Sequence, residues 1–160
     1  MKEKLTILIS TGFYSGLSPK APGTCGSILA FVLIYLASLV SKELVSPANI
    51  IVLSVGLTLI GIYVSNLALE LGLFSKSKDP KQIVIDEWAG YATACIAIEP
   101  TLTQLLIALV LFRIFDIFKP PPVSTVEKLP RGYGIVLDDV VAGVYALVCL
   151  RLTNFALGSL

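Results

Sequence analysis

The run from Ser46 to Leu69 contains no charged residue, and this feature restricts the possible folds more than any other. Its apolar part, Ile50–Leu69, meets the requirement of about 20 residues for crossing the hydrocarbon core of a bilayer. The whole chain is 56% hydrophobic and only 14% charged, whereas charged residues make up about a quarter of ordinary soluble domains. The sequence therefore predicts a membrane-embedded protein with one complete span. The alternative is a soluble bundle with an unusually apolar central helix.

Shorter apolar runs predict the rest of the fold. They are too short to cross a bilayer unless their polar flanks extend them as helix. These runs are Ser27–Ser41, Trp88–Ile98, Thr101–Phe112 and Val140–Leu150. We expect an all-α, compact bundle of about six helices, several of them short transmembrane or partly crossing helices. Residues 1–160 are expected to form one domain, and the apolar part of the N-terminal segment is too short for a signal peptide.

Local signals place three of these helices around acidic residues. Asp79 followed by Pro80 is a helix start, and Glu99-Pro100 interrupts the helical pattern. Thr101 can cap the next helix, which stops where Lys119 is followed by three prolines. The predicted helices are Pro80–Ile98, Thr101–Phe118 and one that begins near Asp138.

Five of the 11 carboxylates lie in short clusters beside these apolar runs. They are Asp86, Glu87, Asp116, Asp138 and Asp139. A carboxylate at the centre of a bilayer costs about 2.5–3.5 kcal/mol, so acids that flank hydrophobic spans are usually functional. We therefore treat the five as candidate catalytic residues.

The two adjacent acid pairs share a pattern that predicts a metal site. Asp86-Glu87 is followed by Gly90, and Asp138-Asp139 is followed by Gly143. Small residues let helices approach closely in a membrane, so the pairs could face each other. Such a cluster needs a cation, and without histidine or clustered cysteine Mg²⁺ is preferred over Zn²⁺. Helix capping explains one acid of each pair but not both.

Two segments are candidates for binding phosphate. The segment Ser18–Ser27 is rich in proline and glycine, and Thr24 or Ser27 could cap the helix that follows. Free N–H groups at a helix start, with Lys20 and Gly23 nearby, suit an anion. Farther along, the residues Arg113, Asp116 and Lys119 recur every three positions and form one stripe. The alternative interpretation of this stripe is an intrahelical ladder of ion pairs.

Missing residues exclude several chemistries. There is no histidine, which excludes Ser-His-Asp triads, phosphohistidine intermediates and histidine-ligated zinc. No two aspartates stand two residues apart, so the paired-aspartate signature of aspartyl-phosphate enzymes is absent. The three cysteines are widely spaced and suggest packing rather than a disulfide framework. A net charge of +1 without an aromatic-basic patch argues against nucleic-acid binding.

The distribution of basic residues predicts the orientation in the membrane. We assume that Ser27–Ser41 and Ile50–Leu69 form one hairpin and that the helices on either side of Glu99-Pro100 form another. The five candidate acids and the segment Ser18–Ser27 then fall on one side of the membrane. That side carries Lys20, Lys76, Lys78, Lys81, Arg113, Lys119, Lys128 and Arg131. The opposite side carries Lys42 and Arg151. By the positive-inside rule, the side with the candidate acids is expected to face the cytoplasm.

Four motifs together resemble the phosphatidylglycerophosphatase A family of bacterial membrane enzymes. They lie at Gly12–Ser27, Asp86–Gly90, Phe112–Pro122 and Gly132–Gly143. The resemblance implies an all-helical bacterial membrane enzyme. Together with the distribution of basic residues, it leads us to expect a multi-pass protein of the bacterial inner membrane with its active site facing the cytoplasm. It also implies Mg²⁺-dependent removal of the terminal phosphate of phosphatidylglycerophosphate, a phospholipid held in the bilayer, to give phosphatidylglycerol. It does not specify protein partners.

Combining the resemblance with the residue chemistry gives expected roles for the motif residues. Glu87, Asp138 and Asp139 are the leading metal ligands, and Asp86 or Asp116 is a further ligand or the general base. Arg113 and Lys119 would pair with substrate phosphates. Thr24 and Ser27 would hold the terminal phosphate with the adjacent backbone. A small cation transporter and a non-catalytic membrane scaffold are the alternatives, and a transporter would place its acids nearer mid-membrane.

Overall fold

The computed structural model describes residues 1–74 and 79–156, and this part of the chain contains seven α-helices and no β-strand. The helices are α1 (Lys2–Ser10), α2 (Pro22–Val40), α3 (Pro47–Glu70), α4 (Ile85–Ala94), α5 (Leu102–Phe118), α6 (Val123–Val126) and α7 (Gly132–Ala156). The all-α prediction is confirmed. Lys76 and Lys78, which contributed to the predicted orientation, lie outside the described residues.

Helix α4 forms the centre of the bundle. It packs against α2, α3, α5 and α7, and all ten of its residues are buried. At 1.5 Å per residue it is about 15 Å long, which is too short to cross a bilayer. The acidic pair Asp86-Glu87 therefore lies in the first turn of a helix that is enclosed by longer ones.

The predicted helix Pro80–Ile98 is wrong at both ends. Before α4 the backbone N–H of Val84 donates to the carbonyl of Ser10 at 2.9 Å, so this residue is tied to the end of α1 instead of to a helical turn. After α4 the chain turns at Cys95, and Ala97 adopts a left-handed conformation with φ 54°. The central helix is thus about half the predicted length.

Two other helices begin earlier than predicted. Helix α2 starts at Pro22, after Ala21 in a left-handed conformation (φ 49°), so Thr24 and Ser27 lie inside the helix and do not cap it. Helix α7 starts at Gly132, whose N–H donates to the side-chain oxygen of Asn66 on α3 at 3.1 Å. Its two aspartates therefore lie about two turns inside the helix.

The close approach of α4 and α7 depends on two glycines. A Cβ atom on Gly143 would lie 2.2 Å from the carbonyl oxygen of Gly90, and a Cβ on Gly90 would lie 2.6 Å from the carbonyl oxygen of Asp139. No larger residue fits at either position without moving a backbone. The small-residue contact predicted between the two acidic helices is present.

Helices α2 and α3 are long and apolar enough to cross a membrane. Of the 18 most apolar consecutive residues in each helix, only 22% in α2 and 28% in α3 are buried. Most of this apolar surface therefore lies outside the core. Helix α5 also presents exposed large side chains such as Val110 and Ile117, and α7 presents Val148 and Phe155. In contrast to the enclosed α4, the longer helices turn apolar faces outward.

Candidate active site

Both acid pairs line one pocket of about 360 Å³, which we call the acidic pocket. It lies where the start of α4, the end of α5 and the first turns of α7 meet. Its charged lining residues are Asp79, Lys81, Asp86, Glu87, Asp116, Lys119, Asp138 and Asp139. The fold therefore brings all five predicted catalytic carboxylates to one cavity.

Glu87 is held by contacts from α2 and α5. The hydroxyl of Ser27 donates to Oε2 of Glu87 at 2.7 Å, and Nη1 of Arg113 contacts the same oxygen. Helix α2 can approach Glu87 this closely because Gly23 has no side chain. A Cβ at this position would lie only 2.1 Å from Oε1 of Glu87. Ser27 thus positions the carboxylate of Glu87, a role that differs from both the helix cap and the phosphate ligand predicted from the sequence.

Arg113 and Lys119 reach different acids. Arg113 also pairs with Asp116 at 2.8 Å within α5, so its guanidinium joins α5 to α4. Lys119 ends α5 in a left-handed conformation (φ 44°), and its Nζ lies 2.7 Å from Oδ2 of Asp138 and 2.7 Å from Oε1 of Glu127. The stripe therefore combines one intrahelical pair, Arg113–Asp116, with ion pairs from Arg113 to α4 and from Lys119 to α7.

Burial and neighbouring charges shift the pKa values of three groups that line the pocket. Burial raises the pKa of Asp86 well above its usual range, and the charge of Glu87 raises it further. Burial also raises the pKa of Asp79, against the opposing effect of nearby Lys119. Burial alone would lower the pKa of Lys119, but its hydrogen bonds to Asp138 and Glu127 outweigh this effect and raise it. The carboxyl groups that line the pocket outnumber the basic residues in or beside it, Lys81, Arg113 and Lys119.

Two buried carboxylate oxygens in the pocket have no hydrogen-bond partner among the described residues: Oδ1 of Asp86 and Oδ2 of Asp139. A buried carboxylate oxygen without a partner is costly, and an oxygen-seeking divalent cation would satisfy both. The donor set of carboxylates without histidine or cysteine fits Mg²⁺. Within residues 1–74 and 79–156, however, no three His, Cys, Asp or Glu side chains are already arranged to hold a metal ion. In this arrangement Arg113 engages Glu87, and Lys119 engages Asp138.

The predicted phosphate-binding residues are divided between several places. Gly23 lines the acidic pocket near the start of α2. Thr24 and Ser27 line a separate groove between α2 and α5, together with Arg113. Lys20 is exposed and is absent from the lining of the acidic pocket.

Sequence reasoning missed three charged residues at the site. Asp79 and Lys81 line the acidic pocket, and Glu127 shares Lys119 with Asp138. The local pattern predicts that Asp79 is a helix cap, and Lys81 contributes only to the predicted orientation in the membrane. The available signal was the density of charge between Lys76 and Lys81, next to the first acid pair.

Comparison with known proteins places these features in a family. Residues 8–154 match the phosphatidylglycerophosphatase A family. The chain is 36% identical over 145 residues to phosphatidylglycerophosphatase A of Haemophilus influenzae, covering 88% of this chain and 83% of that protein. It is 36% identical over 140 residues to phosphatidylglycerophosphatase A of Escherichia coli, covering 86% of this chain and 76% of that protein.

A third relative carries a different name. A Bacteroides thetaiotaomicron protein, provisionally named a phosphatidylinositol-3-phosphatase, is 36% identical over 160 residues, covering 96% of each chain. No solved structure matches the chain significantly. The match over nearly the whole length, together with the acidic pocket, shows that the chain belongs to the phosphatidylglycerophosphatase A family.

Proposed function

We propose that this protein hydrolyses the terminal phosphomonoester of phosphatidylglycerophosphate, giving phosphatidylglycerol and phosphate, and that the reaction requires Mg²⁺. The main support is the meeting of two acid pairs from α4 and α7 in one pocket, where Asp86 and Asp139 each have one buried oxygen without a partner in the part of the chain that the structure describes. Family membership supplies the class of substrate. Formation of phosphatidylglycerol would place the reaction in phospholipid biosynthesis.

The residues that would hold Mg²⁺ are Asp86, Glu87, Asp138 and Asp139. When bound, the ion would supply charge neutralisation at the phosphoryl oxygens and lower the pKa of a bound water. Asp86 and Asp139 each offer a buried, unpartnered oxygen. Glu87 and Asp138 would become available as their cations, Arg113 and Lys119, turn to the substrate.

Other residues of the pocket would bind phosphate and move the proton. Arg113 and Lys119 would pair with phosphate oxygens, for which Arg113 offers a planar fork of donors. The backbone N–H of Gly23 lies at the start of α2, where the helix dipole favours an anion. Asp116 lines the same pocket and would accept the proton of the attacking water.

A phosphate-release assay tests the substrate and the metal together. The purified protein in detergent should release phosphate from phosphatidylglycerophosphate, lose this activity in EDTA and regain it with added Mg²⁺. Full activity after rigorous chelation would overturn the metal requirement.

Phosphatidylinositol 3-phosphate should be tested in parallel because of the name of the Bacteroides relative, and faster hydrolysis of that lipid would overturn the proposed substrate. Release from neither lipid would favour a transporter or a scaffold.

The protein is proposed to be a multi-pass membrane protein with its acidic pocket facing the cytoplasm. The exposed apolar faces of α2 and α3 and the basic residues beside the pocket support this orientation. A cysteine that replaces Lys128 should react with an impermeant maleimide only after the cells are opened. A cysteine that replaces Lys42, at the other end of the bundle, should react in intact cells, and the reverse result would invert the topology. The unmodified chain gives the background from its native cysteines.

A further inference from the structure

A second cavity adjoins the acidic pocket. It is a groove of about 330 Å³ between α2 and α5, and we call it the α2–α5 groove. Its apolar lining residues are Ile28, Leu109, Val110, Ile114, Ile117 and Phe118. Its polar lining residues are Thr24, Ser27 and Arg113.

Arg113 connects the groove to the acidic pocket. Its side chain lines the groove, while its guanidinium contacts Glu87 and Asp116, which line the pocket. Ser27 likewise lines the groove and donates to Glu87. A cation and a hydroxyl therefore stand at the boundary between a charged cavity and an apolar one.

The outer part of the groove is open and apolar. Val110, Ile114, Ile117 and Phe118 have exposed fractions of 57%, 42%, 67% and 78%. They continue the apolar outer face of α2, where Ile28 is 47% exposed. If α2 crosses the membrane, this opening faces the hydrocarbon chains of the surrounding lipids.

The order of chemical groups in the substrate matches the order of these surfaces. In phosphatidylglycerophosphate the terminal phosphate is followed by glycerol, then by a phosphodiester, and then by the acylated glycerol. Here the acidic pocket is followed by Arg113 and then by an apolar groove. A second apolar cavity lies between α2 and α3, but its lining contains no charged residue that could receive the phosphodiester.

We infer that the α2–α5 groove binds one acyl chain of the phospholipid substrate, with Arg113 contacting the phosphodiester. This inference rests on the proposed lipid phosphatase activity and adds the site for the tail.

Narrowing the groove tests the inference through substrate chain length. Ile114→Trp adds bulk within the groove, and Ile107→Trp adds it on α5 at an exposed position outside the groove. With Ile114→Trp, kcat/KM for a substrate with 18-carbon chains should fall about tenfold, which corresponds to losing the burial of about two methylene groups. For a substrate with six-carbon chains it should change less than about twofold. Ile107→Trp should leave both values near those of the unmodified protein.

Photocrosslinking provides a second readout that does not depend on catalysis. The probe is phosphatidylglycerol with a diazirine in one acyl chain, incorporated into vesicles of unlabelled phosphatidylglycerol and phosphatidylethanolamine. The label should concentrate on the groove-lining segments of α2 and α5, and Ile114→Trp should remove it whereas Ile107→Trp should not. Label spread evenly over all outward apolar faces would overturn the inference.

Two further outcomes separate the possible failures. If Ile114→Trp changes the detergent-corrected mass of the particle, a second copy of the chain occupies the groove and the inference is wrong. If neither substrate releases phosphate, the proposed function fails, and the crosslinking pattern still decides whether the groove holds an acyl chain.

Discussion

The two ends of the helical bundle both carry charges but hold them differently. The acidic pocket contains four buried acids, Asp86, Glu87, Asp138 and Asp139. Their ion-pair partners are Arg113 in α5 and Lys119 at the end of α5. At the opposite end, a cavity of about 490 Å³ is lined by Lys42, Glu43, Glu99 and Arg151. These four are exposed, and no ion pair in residues 1–74 or 79–156 involves them.

The difference shows that the buried acids, unlike the exposed charges at the opposite end, are unfavourable for the stability of the fold. Removing a carboxylate from water is unfavourable unless it is paired and hydrogen-bonded. Exposed charges at the opposite end incur little of this cost, and they need no special explanation. The buried acids are therefore better explained by a function than by stability, and the following predictions test that view.

The largest effect is expected for Asp139→Asn. Asparagine keeps the shape of the side chain and removes the charge that a cation would need, so turnover should fall at least about 10²-fold, as when one preorganised active-site contact is deleted. The fold should persist, because Oδ2 of Asp139 has no hydrogen-bond partner within residues 1–74 and 79–156 to lose. Phosphate release and thermal unfolding in detergent measure the two quantities.

The matched control for this prediction is Glu99→Gln at the opposite end. It also neutralises one acid, but the side chain is exposed, so turnover should change little. If a folded Asp139→Asn protein keeps near-normal turnover, the Asp138-Asp139 pair is not part of the catalytic machinery.

The next effect concerns the contact that brings the acid pairs together. Gly143→Ala would place a Cβ 2.2 Å from the carbonyl oxygen of Gly90 and push α4 and α7 apart. Overpacking of this kind costs about 1–3 kcal/mol, so the free energy of unfolding should fall by that amount. Gly56→Ala on α3 is the control, since a Cβ there meets nothing within 4 Å. Equal stability of the two variants would show that the α4–α7 contact is looser than described.

Local sequence signals predicted some elements well. The predicted helix Thr101–Phe118 agrees with α5 (Leu102–Phe118), because its limits depend on neighbouring residues. The hydroxyl of Thr101 accepts a hydrogen bond from the N–H of Gln104 at 3.3 Å, as a cap should, and three prolines follow Lys119. The spacing of Gly90 and Gly143 from the acids similarly predicted a close contact between helices.

Other elements depend on contacts between distant residues, which no local pattern reveals. The start of α4 is fixed by the hydrogen bond from Val84 to Ser10, more than 70 residues earlier in the chain. The contact of Ser27 with Glu87 joins residues 60 positions apart. Asp79 is a further case, because its local sequence predicts a helix cap whereas tertiary packing places it in the acidic pocket.

A smaller effect is expected when a neutral group that supports the buried acids is removed. Ser27→Ala deletes the hydroxyl that donates to Glu87 at 2.7 Å. A hydrogen bond contributes about 0.5–1.5 kcal/mol, so turnover should fall roughly two- to tenfold. Ser38→Ala is the control on the same helix, because its hydroxyl bonds only the carbonyl of Tyr35, at 2.6 Å. Equal turnover in both variants would mean that Arg113 alone suffices to position Glu87.

The smallest effect should come from an exposed charge that lies near the acidic pocket, and this case separates burial from location. Glu70 pairs with Arg131 at 3.1 Å, and the two side chains are 58% and 64% exposed. Because solvent and salt screen such pairs, Glu70→Gln should lower the free energy of unfolding by less than about 1 kcal/mol. Turnover should stay within about twofold of the unmodified value at both low and high salt. A tenfold loss of turnover would show that charges at this end matter whether or not they are buried, and the distinction drawn between the two ends would then rest on location alone.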